Sequence, residues 1–210
     1  MLKKILTLGM ATIVTVGTLV AQPKNNEKTV WKNAQKLAKE KTKEGWKVDG
    51  SATMEEAFFN HKKKLLVENT QEILGNVQGA MSTKTVNQAK QWSTTNACIS
   101  YAHQSGMILK GRIVSGINAG TDASSLDAMV SGYEAEVQKN IQGELVRSFG
   151  MFREKKDGTI EYVSYYTLNE DAASKARIRA MENMIKESEM ARKHAEDISK
   201  FVREGFEIQN

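Results

Sequence analysis

Apolar and polar positions along the chain follow two different periods, and the places where the period changes divide it into elements. Val30, Ala34, Leu37 and Ala38 recur at helical spacing, Lys41 continues the row, and Gly45 offers a left-handed cap at its end. Trp46-Lys47-Val48 reads as a short extended piece before an Asp49-Gly50 turn. Thr53-Met54-Glu55-Glu56 then matches a capping box, in which a hydroxyl and a carboxylate satisfy opposite orphan amides of a helix start. The helix it opens is expected to turn Ala57, Phe58, His61, Leu65 and Leu66 inward. Ile73 to Met81 reads as a strand bent by Gly75 and Gly79. From Thr85 to Ser105 the stripe Val86, Ala89, Ser93, Ala97 and Tyr101 predicts a helix whose mostly small side chains let it lie close against a sheet. Gly106, Gly111, Gly116 and Gly120 interrupt the next stretch, so the pattern does not separate helix from strand over Met107 to Ile117. Ala119 to Ser125 reads as a loop, and Met129, Tyr133, Val137 and Ile141 mark a helix from Leu126 to Leu145.

The strongest strand signal comes next. Arg147 to Glu154 and Thr159 to Leu168 flank an Asp157-Gly158 turn and predict a hairpin. Its second strand is apolar on both sides, with Ile160, Tyr162, Tyr166 and Leu168 on one and Val163 and Tyr165 on the other, as expected of a central or helix-covered strand. From Asn169 onward a helical pattern runs with no Pro, and no Gly until Gly205. Ile178, Met181, Ile185, Ala191, Ala195, Ile198 and Val202 form its seam, with Ser188 filling the gap. Forty residues of helix would reach about 60 Å, longer than a domain of this size covers, which favours a partner helix over the protein's own core. The expected fold class is therefore α+β, an antiparallel sheet covered by helices with a long C-terminal helix. Its divisions are a domain over residues 30–168 and a helix over 169–210.

The N-terminus bears on location. Met1-Leu2-Lys3-Lys4 is basic, Ile5 to Val20 is apolar apart from Thr and Gly, and Ala21-Gln22-Pro23-Lys24 turns abruptly polar. That is the layout of a secretory signal over residues 1–21, followed by a flexible leader over 22–29; sixteen apolar residues fall short of the about 20 that a bilayer span needs. A lipoprotein signal would place a Cys at the cut, but Cys98 is the sole cysteine, so no lipid anchor is expected. It also has no disulfide partner within the chain and is expected to be a buried small apolar group. The 210 residues carry 30 Lys and Arg against 25 Asp and Glu, a net charge of +5 that falls to +3 once Lys3 and Lys4 are removed. This balance is too small and scattered to point to nucleic acid, and Lys62-Lys63-Lys64 and the lysines from Lys39 to Lys43 read as solvated helix faces. With 40% hydrophobic residues, the chain can bury roughly 70% of its unfolded surface without a disulfide or a structural metal.

The search for chemistry returns no catalytic constellation, metal site or cofactor site. His61, His103 and His194 are far apart in sequence and in no paired ligand spacing, and no Gly-x-Ser-x-Gly elbow is present. Cys98 and His103 are expected to project about 140° apart on one helix, which prevents pairing as nucleophile and base. Gly106 to Gly111 lacks the Lys and Ser/Thr of a phosphate loop. Tyr162 and Tyr165 could stack on a sugar ring, although cross-strand aromatics more often pack within a sheet.

The order of elements is similar to that of secreted Bacteroidetes-type relatives of the LPP-twenty lipoproteins, a group that includes flagellar assembly protein P. The resemblance rests on Gly45-Trp46-Lys47-Val48 after a Lys-rich helix and on Thr53-Met54-Glu55-Glu56-Ala57. A Gly-containing strand over Leu74 to Met81 and a helix spaced by Ala89, Ala97 and Ala102 complete it. It covers the layout from about Val30 to Leu168 and implies helices over one antiparallel sheet, a cell-envelope location, and assembly or scaffolding rather than catalysis. It carries over no catalytic residues, and the missing N-terminal Cys departs from the group's acylated members. The resulting expectation is a secreted, non-enzymatic, periplasmic or envelope-associated protein that binds itself or another envelope protein. The alternative is a saccharide-binding or cell-wall-binding module using the hairpin aromatics.

Overall fold

A computed structural model describes residues 27–116, 123–187 and 191–192. The expected signal over 1–21 lies outside these residues, as do most of the leader, residues 119–122 of the expected loop, and Ser188, Ala195, Ile198 and Val202 of the C-terminal seam. Element order is α1 (Glu27–Lys43), β1 (Lys47–Val48), α2 (Met54–Lys64), β2 (Thr70–Val77), α3 (Val86–Gly116), α4 (Ala123–Ile141), β3 (Val146–Glu154), β4 (Ile160–Asn169) and α5 (Glu170–Glu187). The four strands form one sheet in the order β1-β3-β4-β2, every neighbour antiparallel. The α+β class with helices over an antiparallel sheet is what the sequence predicts.

Local signals act as the sequence predicts. Val30, Ala34 and Ala38 are buried on α1, and Gly45 leaves that helix at φ +85°, a left-handed conformation that costs a residue without Cβ little. Thr53 Oγ1 accepts from the Glu56 amide at 3.2 Å, while Glu56 Oε2 accepts from the Thr53 amide at 2.9 Å, completing the capping box of α2. The hairpin closes with the Lys155 amide donating to the Thr159 carbonyl and Gly158 at φ +76°. β4 sits between β3 and β2 and is buried along almost its whole length, the central strand its sequence predicts.

The sheet is covered on both faces. On one, α1 and α2 pack Ala34, Ala38, Met54, Ala57 and Phe58 over Phe149, Met151 and Val163. On the other, α3 lies on β2 and β4, α4 packs against α3, and α5 packs against α4 and β4, joining Ile73, Tyr166 and Leu168 to Leu109, Tyr133, Ile141 and Met181. α3 approaches very closely: a Cβ at Gly75 would stand 1.9 Å from the Ser93 carbonyl oxygen. Ser93 Oγ and Ser164 Oγ share a hydrogen bond of 2.7 Å across that contact.

Several boundaries differ from expectation. α1 begins at Glu27, inside the stretch read as a flexible leader. β2 starts at Thr70 and ends at Val77, where the chain turns through a 3-10 segment at Gly79–Met81, because the strand length is set by antiparallel pairing of Thr70 with Asn169 and Val77 with Tyr162. Leu66 is exposed, since α2 ends at Lys64 and the chain leaves the core there. α4 begins at Ala123 and stops at Ile141, before the expected Leu145. The largest difference is α3, which runs unbroken through Gly106 and Gly111 for 31 residues. Each interior glycine costs a helix about 1 kcal/mol, and burial of Leu109 and Ile113 against Leu126, Met129 and Val130 outweighs that. Gly106 is where the neighbouring helix comes close, since a Cβ there would stand 2.1 Å from Glu134 Oε1. The longest described helix is thus α3; α5 is described over 18 residues.

Candidate interaction surface

Three of the polar clusters among the described residues tie distant elements together. On the α1/α2 face, α2 places His61 against the sheet, where it is fully buried, edge-on to the rings of Phe149 and Tyr165. Its Nε2 lies 2.5 Å from Glu72 Oε2 on β2, with Lys62 Nζ 3.4 Å from the same oxygen. Burial pushes the Glu72 carboxyl up, but the His61 hydrogen bond and the Lys62 and His61 charges outweigh it and hold the group below its usual range. An ionised carboxylate only accepts, so Nε2 carries the proton it shares.

The second cluster joins β1, β3, β4 and α3. Asp49 Oδ2 accepts from the Tyr162 hydroxyl at 2.5 Å and from Arg147 Nη2 at 2.9 Å, and Lys90 Nζ is 3.4 Å away. Arg147 also donates to the Tyr162 hydroxyl. Gly150 makes room for this, as a Cβ there would stand 2.2 Å from the Tyr162 hydroxyl oxygen. Burial raises the Asp49 carboxyl, yet the hydrogen bonds from Tyr162, Arg147 and Lys90 bring it below its usual range; burial and the bond to Asp49 raise Tyr162. In the third cluster, fully buried Arg177 of α5 donates to the Tyr101 hydroxyl at 2.6 Å and to Glu170, beneath α3 and α4.

The aromatics considered for sugar stacking are turned to opposite faces of β4 and covered there. Tyr162 is fully buried beside Val77 and Ala89, and Tyr165 stacks on Phe149 with ring centroids 4.4 Å apart under α2. They form no shared platform for a saccharide, because the helices occupy the space a ring would take. Of the expected C-terminal seam, Met181 and Ala191 are buried in the protein's own core, and Ile178 and Ile185 pack against it. That part of the seam is occupied by the fold itself, chiefly by α4. Cys98 points into the core, where burial pushes its thiol up, while His103 points outward to Glu134 at 3.2 Å. The two diverge as their spacing on one helix requires.

Exposed apolar side chains mark the outer surface instead. Trp92, Ile99, Met107 and Val114 of α3 are 45%, 45%, 61% and 64% exposed, with Met81 beside their N-terminal end. An open groove of about 640 Å³ runs along His103, Met107, Lys110, Gly111, Val114 and Ser115. A second, smaller groove of about 390 Å³ lies between Lys64, Val67, Glu144, Val146 and Thr167. The α3 stripe was legible as the outward complement of the small-residue stripe, but reading the glycines as breaks hid its continuity. Among the described residues no helix is long and apolar enough to cross a membrane, and no three His, Cys, Asp or Glu side chains gather as a metal site.

No protein-family model, curated protein or solved structure matches this chain.

Proposed function

We propose that this protein is a secreted, non-enzymatic component of the cell envelope that works by binding itself or another envelope protein. The observation that carries the reading is the exposed apolar stripe on α3. Isolated exposed apolar residues are ordinary on a protein surface, whereas an aligned set along one helix marks a surface built for contact. The signal-like leader at residues 1–21 supports export, and the resemblance to the LPP-twenty relatives supports an envelope setting. The three polar clusters fit the same reading: their members are bound to one another across elements, which suits a rigid platform presenting a surface.

The test combines fractionation with crosslinking in the native host. Cells expressing the full chain with a C-terminal tag are fractionated, and the N-terminus of the product is sequenced. A periplasmic or envelope product that begins near Gln22 and crosslinks through α3 is the expected result. An intact N-terminus in the cytosol would overturn the envelope setting, and turnover of a substrate by the pure protein would overturn the non-enzymatic reading.

A further inference from the structure

The residues along the outer side of α3 follow an order that reads the same in both directions, Asn96 among them being half-buried with its amide donated to the Asn76 carbonyl at 2.7 Å. Trp92, Asn96, Ile99, His103, Met107, Lys110 and Val114 are separated by gaps of 4, 3, 4, 4, 3 and 4. At about 100° per residue, all seven fall within an arc of about 80° on the helix surface. Trp92 and Val114 lie eleven residues either side of His103, Asn96 and Lys110 seven, and Ile99 and Met107 four. Apolar positions therefore mirror apolar ones and polar positions mirror polar ones. A two-fold interface requires this property, since residue i of one copy must suit residue j of the other while j suits i.

We propose that the protein forms a two-fold symmetric homodimer in which α3 of one copy lies antiparallel on α3 of the other, with His103 at the axis. This rests on and deepens the reading of an assembly protein by naming the partner as a second copy and α3 as the surface. In that arrangement Trp92 faces Val114, Ile99 faces Met107 and Asn96 faces Lys110, each twice. Shape supports the pairing. The groove beside Met107, Gly111 and Val114 lies opposite the stretch of the second copy that carries Trp92 and Ile99. A Cβ added at Gly111 meets nothing within 4 Å, so the space beside the smallest residue receives the largest one.

Charge and area support it too. From Val86 to Gly116 α3 has no Asp or Glu, so parallel pairing would set Lys110 directly on its own copy. Antiparallel pairing places the two Lys110 side chains fourteen residues apart along the seam, roughly 21 Å, beyond the screening length of about 8 Å at physiological salt. Each copy also supplies the counter-charge of Lys110, Asp127 at 2.5 Å, and a hydrogen-bond partner for His103, Glu134 at 3.2 Å. The four apolar side chains expose on the order of 400 Å² per copy, as much as the largest patch on an ordinary monomer. With Met81 and the polar positions between them, the 33 Å or so of helix approaches the roughly 800 Å² per partner that a stable dimer buries.

Sedimentation velocity on protein purified after expression of the full 210-residue chain should show a dimer. Gly111→Leu fills the groove from a position where an added Cβ meets nothing within 4 Å, and Ile99→Glu puts a charge into the seam from an exposed position. Each should weaken dimerisation at least about tenfold while circular dichroism and the melting curve of the monomer stay native-like. A short bis-maleimide should join His103→Cys to itself, should not join Trp92→Cys to itself, and should join Trp92→Cys to Val114→Cys when the two are mixed. The parent chain, whose single Cys98 is buried, should give no crosslink. A monomer at every concentration would overturn the proposal. So would a dimer untouched by Gly111→Leu and Ile99→Glu, or Trp92→Cys joining to itself. A dimer untouched by both variants leaves the assembly reading standing with a different surface, and a monomer crosslinked in cells to another envelope protein leaves it standing with a different partner.

Discussion

The two faces of the sheet are filled by opposite means. Under α1 and α2 the space is occupied by rings: Phe58 meets Phe149 and Tyr165 edge-on with centroids 5.1 and 5.5 Å apart, and Phe149 and Tyr165 stack. Under α3 the contact is made by Gly75, Ser93, Ala97 and Ser164, with strand backbone nearly touching helix backbone. Large side chains hold two layers apart and can adjust their rotamers, so the aromatic face has some room to repack. Where a strand and a helix meet through Gly and Ser, the backbones themselves are in contact and nothing can rotate away. Beside this contact α4 packs on α3 and α5 packs on α4 and β4, while the far side of α3 remains outward with Trp92, Ile99, Met107 and Val114. The aromatic face supplies bulk, and the small-residue face supplies position.

Gly75→Val is the largest expected break. Its Cβ would lie 1.9 Å from the Ser93 carbonyl oxygen and 2.7 Å from the carbonyl carbon, both backbone atoms, so α3 must lift from the sheet. We expect a loss of about 5 kcal/mol, near the extreme for single substitutions, measured as the shift in urea midpoint at constant slope. Gly111→Ala is the contrasting change on the same chain. Within a single copy it adds a methyl to open space, and it should stabilise α3 of the monomer by about 0.5–1 kcal/mol.

Arg177→Met tests the outer layer on the α3 side. The guanidinium is fully buried and bonded to Tyr101 and Glu170, so its removal leaves the buried Tyr101 phenol without its donor, while the half-buried Glu170, which also accepts from Gln71, loses its counter-charge. The expected cost is about 2–3 kcal/mol by chemical denaturation. Adding Glu170→Gln should return part of it, because the neutral amide no longer needs a counter-charge. A double variant as unstable as the sum of its parts would show that the pair is not coupled.

Features decided within a few residues are readable from the chain alone. The capping box, the turn at Gly158 and the left-handed Gly45 each depend on neighbours in sequence, and the alternation that sets Tyr162 and Tyr165 on opposite sides of β4 is equally local. The course of α3 is not readable in this way. Gly106 breaks a helix by propensity, but its role here is set by Glu134, which approaches from α4. Leu109 and Ile113 keep the helix going only because α4 is there to bury them. The end of β2 likewise depends on pairing with β4. The candidate surface is hidden most by this limit. Its seven positions become one row only when the helix is continuous, and four of them, His103 to Val114, lie around or beyond the first glycine that interrupts the pattern.

On the aromatic face the corresponding polar contact is His61 with Glu72. Glu72 has its carboxyl held below the usual range in the folded state, so the stability it contributes is present above its unfolded value near 4.5. That contribution is lost as pH falls through the folded value, because protonation removes the acceptor. Glu72→Gln should cost about 2 kcal/mol at pH 7. Its stability should also fall less steeply than the parent's between pH 5 and 3, measured by urea titration at each pH. Equal slopes would show that Glu72 is not a source of the acid sensitivity.

Thr53→Ala gives the smallest effect and the sharpest contrast with Gly75. Thr53 is exposed and touches no layer of the core; its hydroxyl accepts from the Glu56 amide at 3.2 Å and donates to Glu56 Oε2 at 3.0 Å, the same oxygen that accepts from the Thr53 amide at 2.9 Å. Removing the hydroxyl leaves the Glu56 amide to water, at an expected cost of about 1 kcal/mol. The loss should be confined to the first turn of α2, seen as faster amide exchange at Glu55, Glu56 and Ala57. Met54, Ala57 and Phe58 still anchor that turn on the sheet, so the aromatic packing should stay in place. Thr53→Ser keeps the acceptor and should be nearly neutral. A Thr53→Ala effect that spread to amides of β3 and β4 would mean that the aromatic face is as rigidly coupled as the small-residue face, and the contrast between the two would fail.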